Sequence, residues 1–224
     1  ELMELSEGTL LSKIKIFSAK KNIIDEYEKK HFHNVKIDTL IRLSENKDFA
    51  DLTIIINENK KTKIKEINIR GNENFSDWTL KFRTLKGINE YKWYLPFRGE
   101  YNKDKWEEDK QMLVKFYKNK GYRDFYIIDE YIDLLPDENG LSVNISVHEG
   151  PKYYYNDIVF NGNIIHNDKT LSKVLNIKKG EIFNEDKFQI SVYQGLYPLY
   201  RDDGYFYVQV EPLIEPTEEN LLNV

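Results

Sequence analysis

The sequence contains no cysteine, and this absence excludes disulfide bonds and every mechanism that depends on a thiol. It also lacks the run of about 20 apolar residues that a membrane-spanning helix needs. Charge of one sign does not dominate, because 33 basic and 38 acidic residues are interspersed and give a net charge of −5. A nucleic-acid-binding protein needs a clustered basic surface, so we expect no nucleic acid among the partners.

Residue sets that could form a catalytic or metal site are also missing. Of the four histidines, His31 and His33 are two residues apart, but no cysteine or carboxylate accompanies them at the spacing of metal ligands. The acids Asp129, Glu130 and Asp133 lie on an alternating segment, where a solvated strand edge is the simpler interpretation. The chain has neither a glycine-rich phosphate loop nor a nucleophile elbow. The sequence therefore predicts no enzyme activity, no metal ion and no cofactor.

What the sequence does contain is a folded-protein composition that is rich in aromatic residues. Hydrophobic residues make up 40% and charged residues 32%, which is ordinary for a folded domain. There are 16 Tyr, 12 Phe and 3 Trp. Such side chains fill the thin cores of small domains, and Tyr and Trp also suit interfaces that are partly wet.

A short strand followed by Gly-Asn occurs twice, at 67–72 and at 158–163, with an offset of 91 residues. Alternate apolar side chains are typical of a strand, and glycine tolerates the positive φ that such a turn needs. A second pair, Gly121-Tyr122 and Gly204-Tyr205, has an offset of 83 residues, because an aromatic loop between 88 and 102 is about eight residues longer in the earlier copy. Two pairs in the same order predict a tandem repeat.

Each repeat is predicted to be a β-α-α-β-β unit of an α+β fold. Residues 1–60 are predicted to form a partial unit with the second helix and the last two strands, residues 61–150 a complete unit, and residues 151–224 a unit whose last strand is cut short. Both ends are expected to lie inside a longer chain. Short hinges are predicted between the units, at Lys60, Lys61, Gly150 and Pro151.

Several local expectations can be checked against a structure. A helix is predicted over 9–31, with Thr9 as N-cap and an apolar face formed by Leu10, Ile14, Phe17, Ile24 and Tyr27. A helix capped by Ser76 is predicted to carry Trp78, Leu80, Phe82 and Leu85. Strands are predicted over 126–134, 157–161 and 205–210. Pro198 is expected to kink or shorten its helix.

The repeat resembles the polypeptide-transport-associated (POTRA) domain, which has this element order and a length of about 75–90 residues as a tandem unit. The resemblance is carried by the paired strands with Gly-Asn, by the helix endings 116–122 and 199–205, and by the closing segment 147–150. It covers almost the whole chain. The departures from the family pattern are His31 in place of the usual glycine, Pro198 inside a helix, and the long aromatic loop.

The resemblance implies a three-stranded mixed sheet with two helices on one face of each unit. Tandem POTRA domains are similar to the periplasmic part of outer-membrane β-barrel assembly factors, which implies the periplasmic face of the outer membrane in a Gram-negative bacterium. It implies membrane attachment through a C-terminal barrel that lies outside these residues. It also implies unfolded outer-membrane β-barrel proteins and accessory lipoproteins as partners.

An edge strand presents unpaired backbone groups, so an extended client can add to the sheet as a further strand. In the family the second strand of the unit accepts clients. The third unit's strand is the most apolar one here, and it predicts a client-binding edge at Tyr205, Phe206, Tyr207, Val208 and Gln209. A secondary edge is predicted at Tyr126, Ile127 and Ile128. The other interpretation is that these aromatics pack against their own helices.

The aromatic loop is a second candidate surface. Its residues Tyr91, Trp93, Tyr94 and Phe97 could dock an accessory subunit, or they could fold back into a local core. Two further function classes remain open. One is a POTRA-type docking scaffold in two-partner secretion, autotransporter assembly or cell division. The other is a module that binds peptidoglycan or another glycan through its tyrosine-rich surface.

Overall fold

The computed structural model describes residues 8–45, 48–59, 61–95, 98–136 and 140–224. The chain divides into two compact units, each built from three segments. The first unit comprises Glu1–Asn68, Gly87–Glu107 and Tyr131–Asn144. The second comprises Ile69–Lys86, Glu108–Glu130 and Ile145–Val224.

The N-terminal part is a helix followed by a β-hairpin. Helix α1 spans Lys13–Lys29, and strands β1 (Lys36–Leu43) and β2 (Ala50–Asn57) pair antiparallel, with Lys36 opposite Asn57. Helix–strand–strand is the order that the sequence predicted for this section.

Two details of α1 differ from the sequence prediction. The N-cap is Ser12, whose Oγ accepts a hydrogen bond from the Lys15 amide at 3.2 Å, so the prediction of Thr9 is wrong. Three predicted face residues are exposed instead of packed, namely Leu10, Ile14 and Phe17. The packed face contains the fully buried Ala19 and half-buried residues spaced three and four positions from it, among them Ile16 and Ile23.

The central part has the predicted β-α-α-β-β order. Its elements are β3 (Lys63–Arg70), α2 (Asp77–Arg83), α3 (Lys103–Lys118), β4 (Tyr126–Leu134) and β5 (Gly140–His148). The strand order in the sheet is β3-β5-β4, so the last strand lies in the middle. The alternating pattern predicted both β3 and β4 with these bounds.

Helix α2 carries Trp78, Leu80 and Phe82, as the sequence predicted, but it ends at Arg83, before the predicted Leu85. Leu80 and Leu85 are buried, whereas Trp78 and Phe82 are exposed. Alternate positions along a helix point about 200° apart, so Leu80 cannot share a face with both of its aromatic neighbours.

The C-terminal part repeats the order with shorter strands. Its elements are β6 (Tyr154–Tyr155), α4 (Asp168–Leu175), α5 (Glu185–Ile190), a π-helical segment (Ser191–Leu196), α6 (Tyr197–Asp202), β7 (Glu215–Pro216) and β8 (Leu221–Asn223). The order is β6-β8-β7; β8 is parallel to β6 and antiparallel to β7, which makes this a mixed sheet. Backbone hydrogen bonds extend the β6–β8 pairing, from Val224 to the Asp157 carbonyl and from Val159 to the Val224 carbonyl.

The strand predicted over 157–161 has the wrong bounds, and the strand predicted over 205–210 is wrong. Pairing in the first case is centred on β6, which lies just before the predicted segment. The segment 205–210 has no strand assignment, and the outer strand of its sheet is β7, further along the chain. An alternating pattern fits a strand, but the segment also needs a neighbouring backbone to pair with.

Pro198 interrupts the last long helix, as the sequence predicted. Proline has no N–H to donate, and its ring crowds the carbonyl four residues earlier. The backbone widens into the π-helical segment just before it, and α6 then begins with proline in its first turn.

Each compact unit has its own buried apolar residues. Those of the first unit include Ile64, Ile67, Ile88, Trp106, Leu141 and Val143. The C-terminal core in the second unit is formed by Tyr153, Tyr155, Leu171, Leu175, Ile177, Phe183, Phe188, Val192, Leu196 and Leu222. Among the described residues, the helices are all too short or too polar to cross a bilayer.

Candidate functional site

Strand β4 is an edge strand, because β5 is its one neighbour in the described sheet. Ile128 is 60% exposed and Tyr126 is also exposed, whereas Ile127 is half-buried. Within the second compact unit, the Lys110 ammonium lies 2.6 Å from the Glu130 carboxylate. The predicted secondary edge residues therefore lie on a regular strand that presents apolar side chains to solvent.

The opposite edge of the same sheet is covered by the chain itself. The Ile64 amide donates to the Gly99 carbonyl, and the Tyr91 amide donates to the Ile64 carbonyl, each at 2.7 Å. The Glu90 side chain accepts a further hydrogen bond from the Ile67 amide. Residues at the two ends of the aromatic loop thus pair with the outer edge of β3 at Ile64 and Ile67, whereas β4 has no second neighbour among the described strands.

The C-terminal part covers its first strand in the same way. Tyr155 donates to the Glu181 carbonyl and accepts from the Gly180 amide, at 2.9 and 2.7 Å. Ile64 and Tyr155 are related by the 91-residue offset. Compared with the third repeat, the second repeat therefore has its extra loop residues between Tyr91 and Gly99. The turn that begins at Tyr91 and ends at Gly99 is called the covering turn.

The tip of this insertion is a tight turn closed by a bridge between Lys92 and Leu95. Trp93 is 83% exposed, and its ring contacts that of Tyr94 edge-on, with 5.7 Å between ring centroids. Tyr91 is set apart from them, under the Lys65 ammonium. The fourth predicted docking residue, Phe97, lies outside the described residues.

The predicted client edge at Tyr205–Gln209 is a turn followed by irregular backbone. The Tyr205 amide donates to the Tyr200 carbonyl at 2.9 Å, and the Val208 amide donates to the Tyr205 carbonyl. Tyr207 is 98% exposed, and Phe206 is exposed as well. The Tyr205 ring lies edge-on to Tyr200 of α6, with 6.5 Å between centroids, whereas Phe206 and Tyr207 face solvent. None of the three lies on a strand.

A groove of about 470 Å³ lies beside this segment. Its lining includes residues 158–163, residues 208–213 and Val224. Core side chains, among them Leu171 and Phe188, form its floor.

A backbone hydrogen bond recurs where one predicted repeat meets the next. The Thr62 amide donates to the His31 carbonyl at 3.0 Å, and the Tyr153 amide donates to the Gly121 carbonyl at 2.9 Å. His31 has a φ of +68° and Gly121 a φ of +97°. His31 therefore adopts the left-handed conformation that glycine has at the equivalent position, in agreement with the sequence alignment of the repeats.

The predicted hinge residues lie close to these bonds. The Lys61 ammonium is 5.5 Å from the centre of the Phe32 ring, and Gly150 has a φ of +68° beside the half-buried Pro151. Lys60 lies outside the described residues. Bending at these positions stays a prediction.

A buried carboxylate, which the sequence analysis missed, holds the central part together. Glu149 is 6% exposed and accepts hydrogen bonds from the Tyr117 hydroxyl at 2.7 Å and from both the backbone and the side-chain nitrogen of Asn74. Burial, and secondly the bond to Glu149, raise the pKa of Tyr117 well above its ordinary value. The charge is stabilised because several donors converge on it.

The same pair occurs in the N-terminal part, where the Tyr27 hydroxyl donates to Glu58 at 2.6 Å. The tyrosines are 90 residues apart and the glutamates 91. Aligning the repeats by residue type at the ends of the helix and of the last strand would have found both pairs.

The described residues contain no cluster of His, Asp or Glu that could hold a metal ion. The most perturbed histidine is His33, whose pKa is lowered to about 4 by burial and, to a smaller degree, by the charge of His31. Its ring lies edge-on to Tyr101, with 5.6 Å between centroids. The arrangement is that of a packed neutral imidazole.

Comparison with protein families gives a match over most of the chain. The POTRA family model, described as a surface antigen variable number repeat, matches residues 62–150 and again residues 153–224. The two matches follow one another in the order of the predicted second and third units.

Curated relatives include two outer membrane protein assembly factors named BamA. The protein from Buchnera aphidicola is 28% identical over 179 residues, covering 79% of this chain and 28% of the relative. The protein from Neisseria meningitidis is 27% identical over 218 residues, covering 95% of this chain and 27% of the relative. The chain thus spans little more than a quarter of the length of these relatives.

Solved structures give the same fold. A crystal structure of POTRA domains 3–5 of Haemophilus influenzae BamA has a TM-score of 0.51 at 17% identity and covers 99% of this chain and 85% of that one. BamA from Haemophilus ducreyi lacking POTRA domains 1–3 has a TM-score of 0.52 at 17% identity, covering 72% of this chain and 28% of that one. At this identity the likeness supports the α+β fold of the repeats.

Proposed function

We propose a function for this chain, which belongs to the POTRA family. It is the periplasmic part of an outer-membrane protein assembly factor, and it receives unfolded β-barrel proteins by strand addition. Similarity to BamA proteins supports this role. We place the domains on the periplasmic side of the outer membrane of a Gram-negative bacterium. The chemistry is non-catalytic, since a client gains backbone hydrogen bonds and no covalent bond changes.

The observation that carries the proposal is the open edge of β4. This strand is nine residues long, with one side unpaired by any described strand, while the other edge of its sheet is covered by the turn at Tyr91 and Gly99. Unpaired amides and carbonyls in a regular strand are a template for an incoming strand. The exposed Tyr126 and Ile128 offer apolar contact to alternate side chains of the client.

This proposal moves the main client edge from the third unit to the second. Tyr205–Gln209 are irregular and offer no regular ladder of donors and acceptors. The charges on β4 suit this task, because Asp129 and Glu130 would disfavour permanent pairing with a second copy of the same strand. Backbone recognition is tolerant of sequence, as a factor with many clients requires.

We further propose that the exposed tip of the covering turn, at Trp93 and Tyr94, docks an accessory subunit. The turn is held at both of its ends by hydrogen bonds to Ile64. An aromatic pair on a fixed base loses little conformational entropy on binding. Phe97 belongs to the same loop in sequence.

The test is site-specific photocrosslinking in cells with the full-length protein. A photoreactive amino acid replaces Ile128 in one strain and Tyr207 in another. We expect adducts of many masses, containing newly made outer-membrane proteins, at position 128 and few at position 207. Similar adducts at both positions, or adducts at 207 alone, would show that β4 is not the preferred edge.

A matched variant separates strand addition from simple exposure. Ile128→Pro removes one backbone donor from β4, whereas Ile128→Lys keeps it. With the probe moved to Tyr126, we expect Ile128→Pro to reduce client adducts several-fold more than Ile128→Lys. Equal losses would indicate that side-chain contact carries the interaction. A single adduct of constant mass would identify a docking scaffold instead.

A further inference from the structure

Helix α2 carries two aromatic rings on its solvent side. Trp78 is 70% exposed and Phe82 is 62% exposed. They are four residues apart and therefore share one side of the helix, away from the fully buried Leu80. The two rings are stacked, with 5.3 Å between centroids and 2° between planes. They form a flat apolar surface that the described part of the chain leaves open to water.

The base under these rings is fixed. The Ser76 hydroxyl caps the helix by accepting from the Thr79 amide, and the Thr84 hydroxyl donates to the Leu80 carbonyl at 2.7 Å. The amide of Lys86, just beyond the helix, donates to the Asp109 carboxylate. A partner would therefore meet a surface whose shape is already set, which lowers the entropic cost of binding.

The repeat fold does not need aromatic residues at these positions. Helix α4 of the next repeat begins with the same type of cap, Asn167 in place of Ser76. At the 91-residue offset, Lys169 and Lys173 occupy the positions of Trp78 and Phe82, and both are exposed. Exposed rings in one helix and lysines in its counterpart indicate that the rings serve something other than folding.

The charges beside the rings are positive. The Arg83 guanidinium lies 6.0 Å from the centre of the Phe82 ring, and Lys81 follows Trp78 by one turn. The acid on this helix, Asp77, accepts a hydrogen bond from the Asn72 side chain at 2.7 Å. Tryptophan and arginine are also the residue types that most often dominate binding energy at protein interfaces.

We propose that Trp78, Phe82 and Arg83, here called the α2 surface, bind an acidic segment of a partner protein that presents an aliphatic or prolyl side chain between its carboxylates. The apolar side chain packs on the stacked rings, and a carboxylate pairs with the Arg83 guanidinium. The α2 surface is distinct from the client edge at β4, so either can fail without the other.

The test is a titration of the full chain, followed by NMR, with three synthetic peptides. One has a Leu-Pro-Leu centre flanked by three acidic residues on each side, the second has the same centre with basic flanks, and the third has acidic flanks and a Gly-Gly-Gly centre. We expect the first to shift the Trp78 indole signal and to bind about tenfold more tightly than either other peptide. Equal affinity for the basic peptide, or no shift with the first, would overturn the proposal.

Variants taken from the chain's own repeat provide the controls. Trp78→Lys with Phe82→Lys copies the residues of α4, so the helix is expected to fold and binding to weaken at least tenfold. Tyr193→Ala, at an exposed ring that stacks on Tyr197 in the third repeat, should leave the affinity unchanged. Arg83→Gln should reduce the salt dependence of binding. Binding lost with Tyr193→Ala, or a Trp78-dependent dimer of the chain that accounts for the shifts, would refute the assignment.

Discussion

The second and third repeats place their strands in the same order but differ in how much strand they form. In the second, β5 is nine residues long and β4 pairs along it as a nine-residue edge. In the third, β8 is three residues long, and β7 comprises two residues at Glu215–Pro216. The segment 205–210 is more apolar than β4, which carries Asp129, Glu130 and Asp133. Among the described residues the segment 205–210 has no paired backbone, and a strand requires one in addition to a suitable pattern.

The largest difference between the repeats is expected at the paired glycines. A Cβ at Gly71 would lie 2.2 Å from the Val147 carbonyl oxygen, whereas one at Gly162 would meet open space, although both residues have positive φ. We expect Gly71→Ala to destabilise its repeat by about 3 kcal/mol and Gly162→Ala by about 1 kcal/mol. Urea unfolding followed by peptide-resolved hydrogen exchange measures both. Equal losses would mean that Gly71 does not contact the closing strand.

The buried carboxylate gives the next comparison. Glu149→Ala leaves the Tyr117 hydroxyl and the Asn74 amide without their acceptor, and we expect a loss of about 2–3 kcal/mol. The equivalent tyrosine of the third repeat is Tyr200, whose hydroxyl has no hydrogen-bond partner within the described ranges.

The control for this comparison is Tyr200→Phe, for which we expect a change below about 0.5 kcal/mol. Thermal unfolding measures the stability change in both variants, and hydrogen exchange shows in which repeat the change occurs. If Tyr200→Phe lowers the free energy of unfolding as much as Glu149→Ala does, the Tyr200 hydroxyl has a stabilising contact that the hydrogen-bond pattern does not contain.

The smallest effect is expected at the helix N-caps, which are alike in the two repeats. Ser76 and Asn167 cap α2 and α4 by accepting from Thr79 and Thr170, at 3.3 and 3.0 Å. Replacing either with alanine should cost about 1 kcal/mol, because one amide at the helix start loses its acceptor. Exchange rates of the amides at the start of each helix provide the measurement. A loss confined to one helix would indicate that only that cap is formed in solution.

Local signals predicted most of the second repeat. The alternation of β3 and β4, and the cap at Ser76, depend on neighbours in sequence, and the structure has them where the pattern placed them. The repeat alignment also predicted that His31 stands where glycine is usual, and its positive φ agrees. The POTRA resemblance implied a three-stranded mixed sheet with the second strand of the unit at an edge.

Features that depend on distant parts of the chain were not predictable in this way. The pattern of 205–210 cannot show that no strand lies beside it, and the spacing of Trp78 and Phe82 cannot show which side of α2 meets the core. The covering turn depends on Ile64 meeting residues 91 and 99. Each of these is decided by tertiary packing, which overrides local preference.

The covering turn makes the second repeat a natural insertion point for protein engineering. Its two ends are tied to Ile64, and in the third repeat the equivalent ties come from the adjacent residues Gly180 and Glu181. The fold therefore accepts either no extra residues or a whole loop between the same two bonds. Since doubling a loop's length costs only about 0.6 kcal/mol in closure entropy, a foreign epitope could be grafted between Tyr91 and Gly99 with the sheet intact.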